Sequence, residues 1–463
     1  MQKRIMRPAQ LIFALLFVFS VSVRAETETA QFKKQEGGFY KDLFEQNVYD
    51  EGTDYLHLER LYRGISHHRL RAGNVNAYDE VPDSTFFTNR HGRRALSESD
   101  LEKGYQEAGG PDLSGNLTVM NSRFDDVLPT FFVSDAKGDK YLLKFDPADS
   151  PELATSSEVI ASRFYYAIGY HVPQYTIVTF DPAKLIPGEG ALIVDDTGFT
   201  KKFTRDKLEE YLLFLPQDPA GRYRASASKV LAGENKGFFS LMGRRKCDPE
   251  DKFDHKDLRE LRALRVFSAW LNNYDIRESN TLDMLVTENG QARLPARQAR
   301  LKHYLIDFNA ALGSGTEESK PPMVTHEHLI DYGETAKSFF TLGFLEKTWQ
   351  RRWREVGEKI PQSPAVGYFD NRYFDPGKFK NQLPHYLFKD LTRADGFWAA
   401  KIVMSFSDDD IRAMVKAGKL TNPADADYIA KTLIERRDMI GRYWFLAADS
   451  LDEFELSGND EIL

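Results

Sequence analysis

One cysteine, Cys247, stands in 463 residues. With no second thiol, no disulfide can form within the chain, so its stability has to come from packing. Long apolar runs are also missing. The one concentrated run, LIFALLFVF from Leu11 to Phe19, falls well short of the roughly 20 residues that a membrane-spanning helix needs. Positive charge is in deficit: 62 Lys and Arg face 70 Asp and Glu, a net charge of -8. That balance speaks against nucleic acid, or an anionic membrane surface, as the partner of the chain as a whole. Several enzyme motifs are absent too. There is no G-x-x-x-x-G-K-[ST], no G-x-S-x-G and no H-E-x-x-H, which sets aside P-loop NTPases, nucleophile-elbow hydrolases and the commonest zinc peptidases.

What is present is apolar and aromatic content, 41% and 13%. That is enough for a large core and unlike a disordered chain. The first 25 residues read as a secretory signal. Lys3, Arg4 and Arg7 form a basic region, Leu11 to Phe19 the apolar one, and Val23-Arg24-Ala25 a small-residue cleavage site. Cleavage is expected after Ala25, giving a periplasmic or secreted protein with no integral membrane segment. Losing Lys3, Arg4, Arg7 and Arg24 would take the net charge to about -12.

Along the chain, residues 26 to 112 are polar and punctuated, and GGPDLSG (Gly109 to Gly115) marks a boundary. Short β-rich runs follow: NLTVM, LPTFFVSD and KYLLKF, the last two joined by a turn at Asp135 to Asp139. A helix is expected from Thr155 to Gly169, then the strand YTIVTF. Thr155-Ser-Ser-Glu158 also reads as a capping box, which would use Glu158 only to satisfy the helix start. Residues 181 to 255 carry little pattern beyond a helix near Arg205 to Phe214. From Lys256 to Leu271, leucines recur at helical spacing. Arg259, Arg262 and Arg265 form another stripe, expected as a solvated face or an ion-pair row. TLDMLV and HYLI are strands around a turn at Glu288-Asn-Gly290. The C-terminal third is mainly helical, with starts at Ser407 and at Thr421-Asn-Pro423.

The chemistry concentrates in AWLNNYDIRESNTLDMLV (Ala269 to Val286) and in LIDFN (Leu305 to Asn309). A helix, an Asp275 loop, a strand hairpin and then Asp307 is the order of parts around a protein-kinase catalytic loop. There an Asp receives the acceptor's proton, an Asn five residues on holds a metal, and a second Asp bridges metal to phosphate. Upstream, Lys144 in YLLKF and Glu158 on the next helix stand where kinases place the phosphate lysine and the glutamate that orients it. KFDP…SSEVIASRFYYAIGYHVP resembles the small lobe of HipA-type kinases. DIRESN and IDFN resemble the D-R-H-x-x-N and I-D-F-G segments of phosphoinositide kinases. The mature chain also resembles a family of exported bacterial proteins with similar LRELR…AWLNH…D…NTLDML and FWAAK segments.

The resemblance implies an α+β, two-lobed protein-kinase-like fold. The small β-rich lobe would span 113–185 and the mostly helical lobe 186–463, after a signal (1–25) and an extension (26–112). It implies ATP with Mg²⁺ or Mn²⁺ as cofactors and phosphoryl transfer to an acceptor of unspecified class. Asp275 would be the base and Arg277 its cationic neighbour. Asn280 and Asp307 would lie on the metal, Lys144 on phosphate and Glu158 behind it. Two departures stand out: Asn309 replaces the glycine after Asp-Phe, in a place that favours a left-handed backbone, and NSRFDDVLPT lacks a glycine-rich phosphate loop. These departures leave a degraded enzyme open, and because a periplasm holds little ATP, AMP transfer on the same fold or a binding module that has lost its chemistry stay open as alternatives.

Overall fold

The computed structural model describes residues 39–46, 71–106, 109–125, 128–194, 200–241, 243–245, 248–287, 299–356 and 363–448. The signal segment, much of the extension and the Glu288–Gly290 turn lie outside the described residues.

Seven strands form one sheet: β1 (Leu117–Asp125), β2 (Leu128–Ser134), β3 (Lys140–Lys144), β4 (Tyr175–Phe180), β5 (Leu185–Val194), β6 (Thr200–Lys202) and β7 (Tyr223–Lys229). Their order is β4-β7-β3-β2-β1-β5-β6. All neighbours are antiparallel except β1 and β5. A second sheet, ordered β10-β9-β8, is built from β8 (Glu234–Asn235), β9 (Thr281–Thr287) and β10 (Ala299–Leu305). The helices are α1 (Phe39–Phe44), α2 (Glu98–Lys103), α3 (Leu153–Ile168), α4 (Arg205–Leu212), α5 (Arg259–Leu271), α6 (Tyr332–Phe340), α7 (Thr348–Val356), α8 (Tyr386–Lys389), α9 (Arg393–Met404), α10 (Asp408–Lys416) and α11 (Pro423–Ala447). This is an α+β fold with the parts in kinase order: a sheet with α3 on one face and α4 on the other, a loop and hairpin, then helices. Among the described residues no helix is long and apolar enough to cross a membrane.

Period-two alternation sets the sheet's faces. Phe131, Val133, Tyr141 and Leu143 point to one side and pack with Leu208, Tyr211 and Leu212 of α4. Lys144, one residue past Leu143, therefore points to the other side, towards α3. There a second and larger core gathers Ile160 and Phe164 of α3, Leu264 and Trp270 of α5, and Trp398, Met414 and Leu433 of the C-terminal helices. Every residue of α3 except Tyr166 is buried.

Two readings from the sequence need correction, and a third, left between two alternatives, is decided. The division at 185/186 falls inside the sheet, because β5, β6 and β7 all belong to it. Helix α3 starts at Leu153, with Glu152 as its cap in the left-handed region and no side-chain capping bond. Thr155 lies inside the helix and gives both its N–H (2.8 Å) and its hydroxyl (2.7 Å) to Asp146, so Thr155 and Glu158 do not form a capping box. The arginine stripe of α5 is not solvated at Arg259 and Arg262, which are 0% and 1% exposed. Both reach the buried Asp395, at 3.0 Å and 3.4 Å, so these two form an ion-pair row inside the core, while Arg265 donates to the Gly377 carbonyl at 2.6 Å.

Candidate functional site

Lys144 ends β3 opposite Ser226 of β7. Its Nζ lies 3.0 Å from Glu158 Oε1 and 2.6 Å from Asp307 Oδ1. One ammonium thus joins the sheet, α3 and the segment after β10. Burial alone would push this lysine down, but the Asp307 and Glu158 carboxylates outweigh it and hold it above its ordinary value. Glu158 is 1% exposed, and its second oxygen accepts from the Ser226 hydroxyl. Burial raises Glu158 against the pull of Lys144.

Asp307 has a φ of +63°, a region that L residues other than Gly, Asn and Asp seldom enter. The left-handed residue here is Asp307 itself; Asn309 is not among the positive-φ residues, contrary to the expectation from the missing glycine. The Asp307 N–H donates to the Tyr175 hydroxyl at 3.2 Å. The preceding N–H, of Ile306, donates to the Asn280 carbonyl at 3.0 Å. That bond ties the Asp307 segment to the loop carrying Asp275.

The loop begins where α5 ends on Asn272, a left-handed cap with φ of +54° whose N–H returns to the helix. Asp275, Arg277 and Asn280 then come together. Asn280 Nδ2 donates to the Asp275 carbonyl (2.7 Å) and to its Oδ2 (2.9 Å). Arg277 Nη1 stands 3.3 Å from Asp275 Oδ1, close enough for an ion pair but at an angle that leaves Oδ1 without a hydrogen bond. Burial pushes the Asp275 carboxyl up to about 6 and the Asp307 charge adds to it; Arg277 and the Asn280 bond oppose this. All six residues singled out in the sequence therefore fall into two contacting groups, Lys144–Glu158–Asp307 and Asp275–Arg277–Asn280.

Four supporting residues escaped the sequence reading. Asn381 clamps the loop backbone, accepting from Ile276 N (3.1 Å) and donating to Ile276 O (2.6 Å). Asp42 of α1 accepts from Ser279 N (3.1 Å) and Oγ (2.5 Å). Ser226 and Tyr175 complete the other group. All four lie 40 or more residues from their partners in sequence, and a lone Asn, Asp, Ser or Tyr carries no local signal. Only Ser226, in the alternating ASAS of β7, had a pattern that could have pointed to it.

No family model and no curated protein matches the chain. Among solved structures it is similar to the Helicobacter pylori proinflammatory kinase CtkA, with 11% identity and a TM-score of 0.36, over 74% of this chain and 99% of that one. It is also similar to the Golgi casein kinase, with 9% identity and a TM-score of 0.30, over 92% of this chain and 94% of that one. Both likenesses are too distant to decide anything alone, and the kinase-like reading stands on the side-chain geometry around Lys144 and Asp275.

Proposed function

We propose that this chain is an exported kinase-like phosphotransferase, using ATP with Mg²⁺ or Mn²⁺ and acting on an acceptor of unspecified class. The observation that carries the reading is the meeting of Lys144 with both Glu158 and Asp307. A lysine held by one buried and one half-buried carboxylate is the arrangement that presents an ammonium to phosphate. The residues also fit a hard divalent cation. Asn280 Oδ1 accepts no hydrogen bond among the described residues, and Asp307 offers a second carboxylate oxygen at a side chain 33% exposed. One carboxylate and one carboxamide suit a cation that prefers oxygen ligands and keeps part of its water. When bound, the ion supplies neutralisation of charge developing on the phosphates.

Each residue then has one task. Lys144 binds phosphate, and Glu158 with Ser226 fixes its direction. Asp275 receives the acceptor's proton; a carboxyl poised near 6 suits that work at neutral pH. Arg277 balances the charge of Asp275, and Asn280 holds its second oxygen. A second reading has its own support. No glycine lies between Leu117 and Ser134, and β1 and β2 stay paired as far as Asp125 and Leu128. A cradle of backbone amides for phosphate is thus missing its usual residue, which favours a non-catalytic binding module.

Labelled ATP separates the readings. Label from the γ position on a product, lost in Lys144→Met, supports phosphoryl transfer, whereas label from the α position means AMP transfer. If neither moves, an ATP-induced rise in melting temperature identifies a binding module; saturation at 100 times Kd stabilises by about 2.7 kcal/mol. A shift that survives in Lys144→Met removes Lys144 from the phosphates.

A further inference from the structure

The helical part contains a cavity of about 250 Å³ whose walls include Asn272, Lys320, Asp370, Asp375, Lys378 and Arg436. Lys320 and Arg436 are only 3% and 4% exposed. Lys320 Nζ gives one proton to the Val324 carbonyl at 2.9 Å and lies 5.0 Å from the Tyr368 ring centre. Arg436 donates to neutral oxygens: Asn371 Oδ1 at 2.7 Å, Ala269 O at 2.8 Å and Asp370 O at 2.9 Å. Among the described residues neither cation has a carboxylate at salt-bridge distance.

The acids on the same wall are already matched. Asp370 takes the Arg352 guanidinium at 2.7 Å, and Asp375 takes Lys378 at 2.9 Å. Two buried positive charges are left in excess. A buried charge without a counter-charge is among the costliest things a fold can contain. Its strain is visible in Lys320, which burial and the neighbouring Arg436 push down to about 7. A third donor points the same way: Asn272 is 2% exposed, lines the cavity, and its Nδ2 has no acceptor.

We propose that this cavity binds a small oxyanion, a phosphate or carboxylate in class, between Lys320, Arg436 and the Asn272 amide. Such an anion supplies the missing counter-charge and the missing acceptor together, through charge-assisted hydrogen bonds. Its position couples two parts of the candidate site. Lys320 lies on the segment that follows Asp307, its N–H bonded to the Gly313 carbonyl at 2.9 Å. Asn272 ends α5 just ahead of Asp275. The proposal does not rest on phosphoryl transfer, since an inactive protein would bind the anion equally.

The test is calorimetric titration of the full chain with inorganic phosphate and, separately, acetate, in chloride buffer of matched ionic strength. A saturable heat with one site per chain is expected for at least one of the two, accompanied by a rise in melting temperature. Response to phosphate alone assigns the phosphate class, and response to both assigns oxyanions generally. Lys320→Met should weaken binding at least tenfold. Asn272→Asp places a carboxylate beside the two cations; it should raise the melting temperature without added anion and abolish the response. Asp tolerates the left-handed backbone at 272, so this variant decides the matter if Lys320→Met fails to fold. No saturable heat at about 10 mM anion, where even a millimolar site is mostly filled, overturns the proposal. So does binding that persists unchanged in Asn272→Asp.

Discussion

Asp275 is the residue whose surroundings say most about its work. Its carboxyl is raised from the ordinary 3.8 to about 6, burial being the main cause. The native state therefore holds a proton that the unfolded chain has given up between those two pH values. Stability contributed by the protonated form is present below about 3.8 and lost as pH rises through about 6. At neutral pH the ionised group costs on the order of 2–3 kcal/mol. Asp275→Asn should accordingly unfold at a higher temperature than the parent at pH 7.5 and at nearly the same temperature at pH 4, measured by circular dichroism. Catalysis runs the other way. In the proposed function Asp275 acts as base only when deprotonated, so transfer should fall as pH drops through about 6. Asp275→Asn should lose roughly 10²- to 10⁴-fold in rate while keeping its ATP-induced thermal shift. Asp307→Asn should lose metal-dependent binding and transfer together. A pH–rate profile and a melting curve for each variant check all three statements. Wild-type transfer in Asp275→Asn would reduce Asp275 to a turn residue.

At the scale of elements, the crossing of α9 and α11 is set by two glycines that act in opposite directions along the pair. Gly396 of α9 lies under Trp444 of α11, and a Cβ at 396 would drive into the indole ring. Gly441 of α11 lies under Met404 of α9. Alanine in place of glycine gains up to about 1 kcal/mol of helix propensity, whereas overpacking a core costs about 1–3 kcal/mol. Trp444 is 6% exposed and rigid, so Gly396→Ala should lower the melting temperature. Met404 is 39% exposed and can swing aside, so Gly441→Ala should leave it unchanged or raise it. Equal losses in both would mean that the crossing tolerates no adjustment. The elements differ in how plainly the sequence announced them. Strands β2, β3 and β9 are short runs rich in apolar and β-forming residues, and α5 repeats leucine at helical spacing, so all four could be read directly. Strand β7 could not: YRASASK is short of apolar residues, and Arg224 and Ser226 meet α3 through polar contacts to Thr155 and Glu158 that leave no hydrophobic pattern. The loop from Asp275 to Asn280 was legible because its spacing is local. Its clamp at Asn381 was not, because that bond closes across the helical part and leaves no pattern along the chain.

For the molecule as a whole, the important feature is how α3 is held. Arg224 of β7 reaches Thr155 Oγ1 (3.0 Å) and Ser156 Oγ (2.8 Å) at the helix start, and also the carbonyls of Gly418 (2.6 Å) and Lys419 (2.9 Å) beyond α10. Midway, Ser157 donates to the Ala311 carbonyl at 2.7 Å, and Arg163 joins the carbonyls of Glu102 (2.9 Å) and Tyr175 (2.8 Å). Tyr165 meets Ser268 of α5 at 3.1 Å. Buried amides fastened on all sides exchange with solvent only when the whole structure opens. The α3 amides should thus be among the slowest in hydrogen exchange, equally with and without ATP, and Arg224→Ala should speed only the first turn. Fast exchange along the middle of α3 in the parent protein would show that the helix moves independently. A glutamate carried on so confined a helix has no withdrawn position to occupy. The Lys144–Glu158 pair should therefore persist as long as α3 keeps these contacts, and the proposed site should not be switched by a withdrawal of α3. If the proposed function holds, access to the site should be governed at the loop instead, where Asp42 accepts from Ser279.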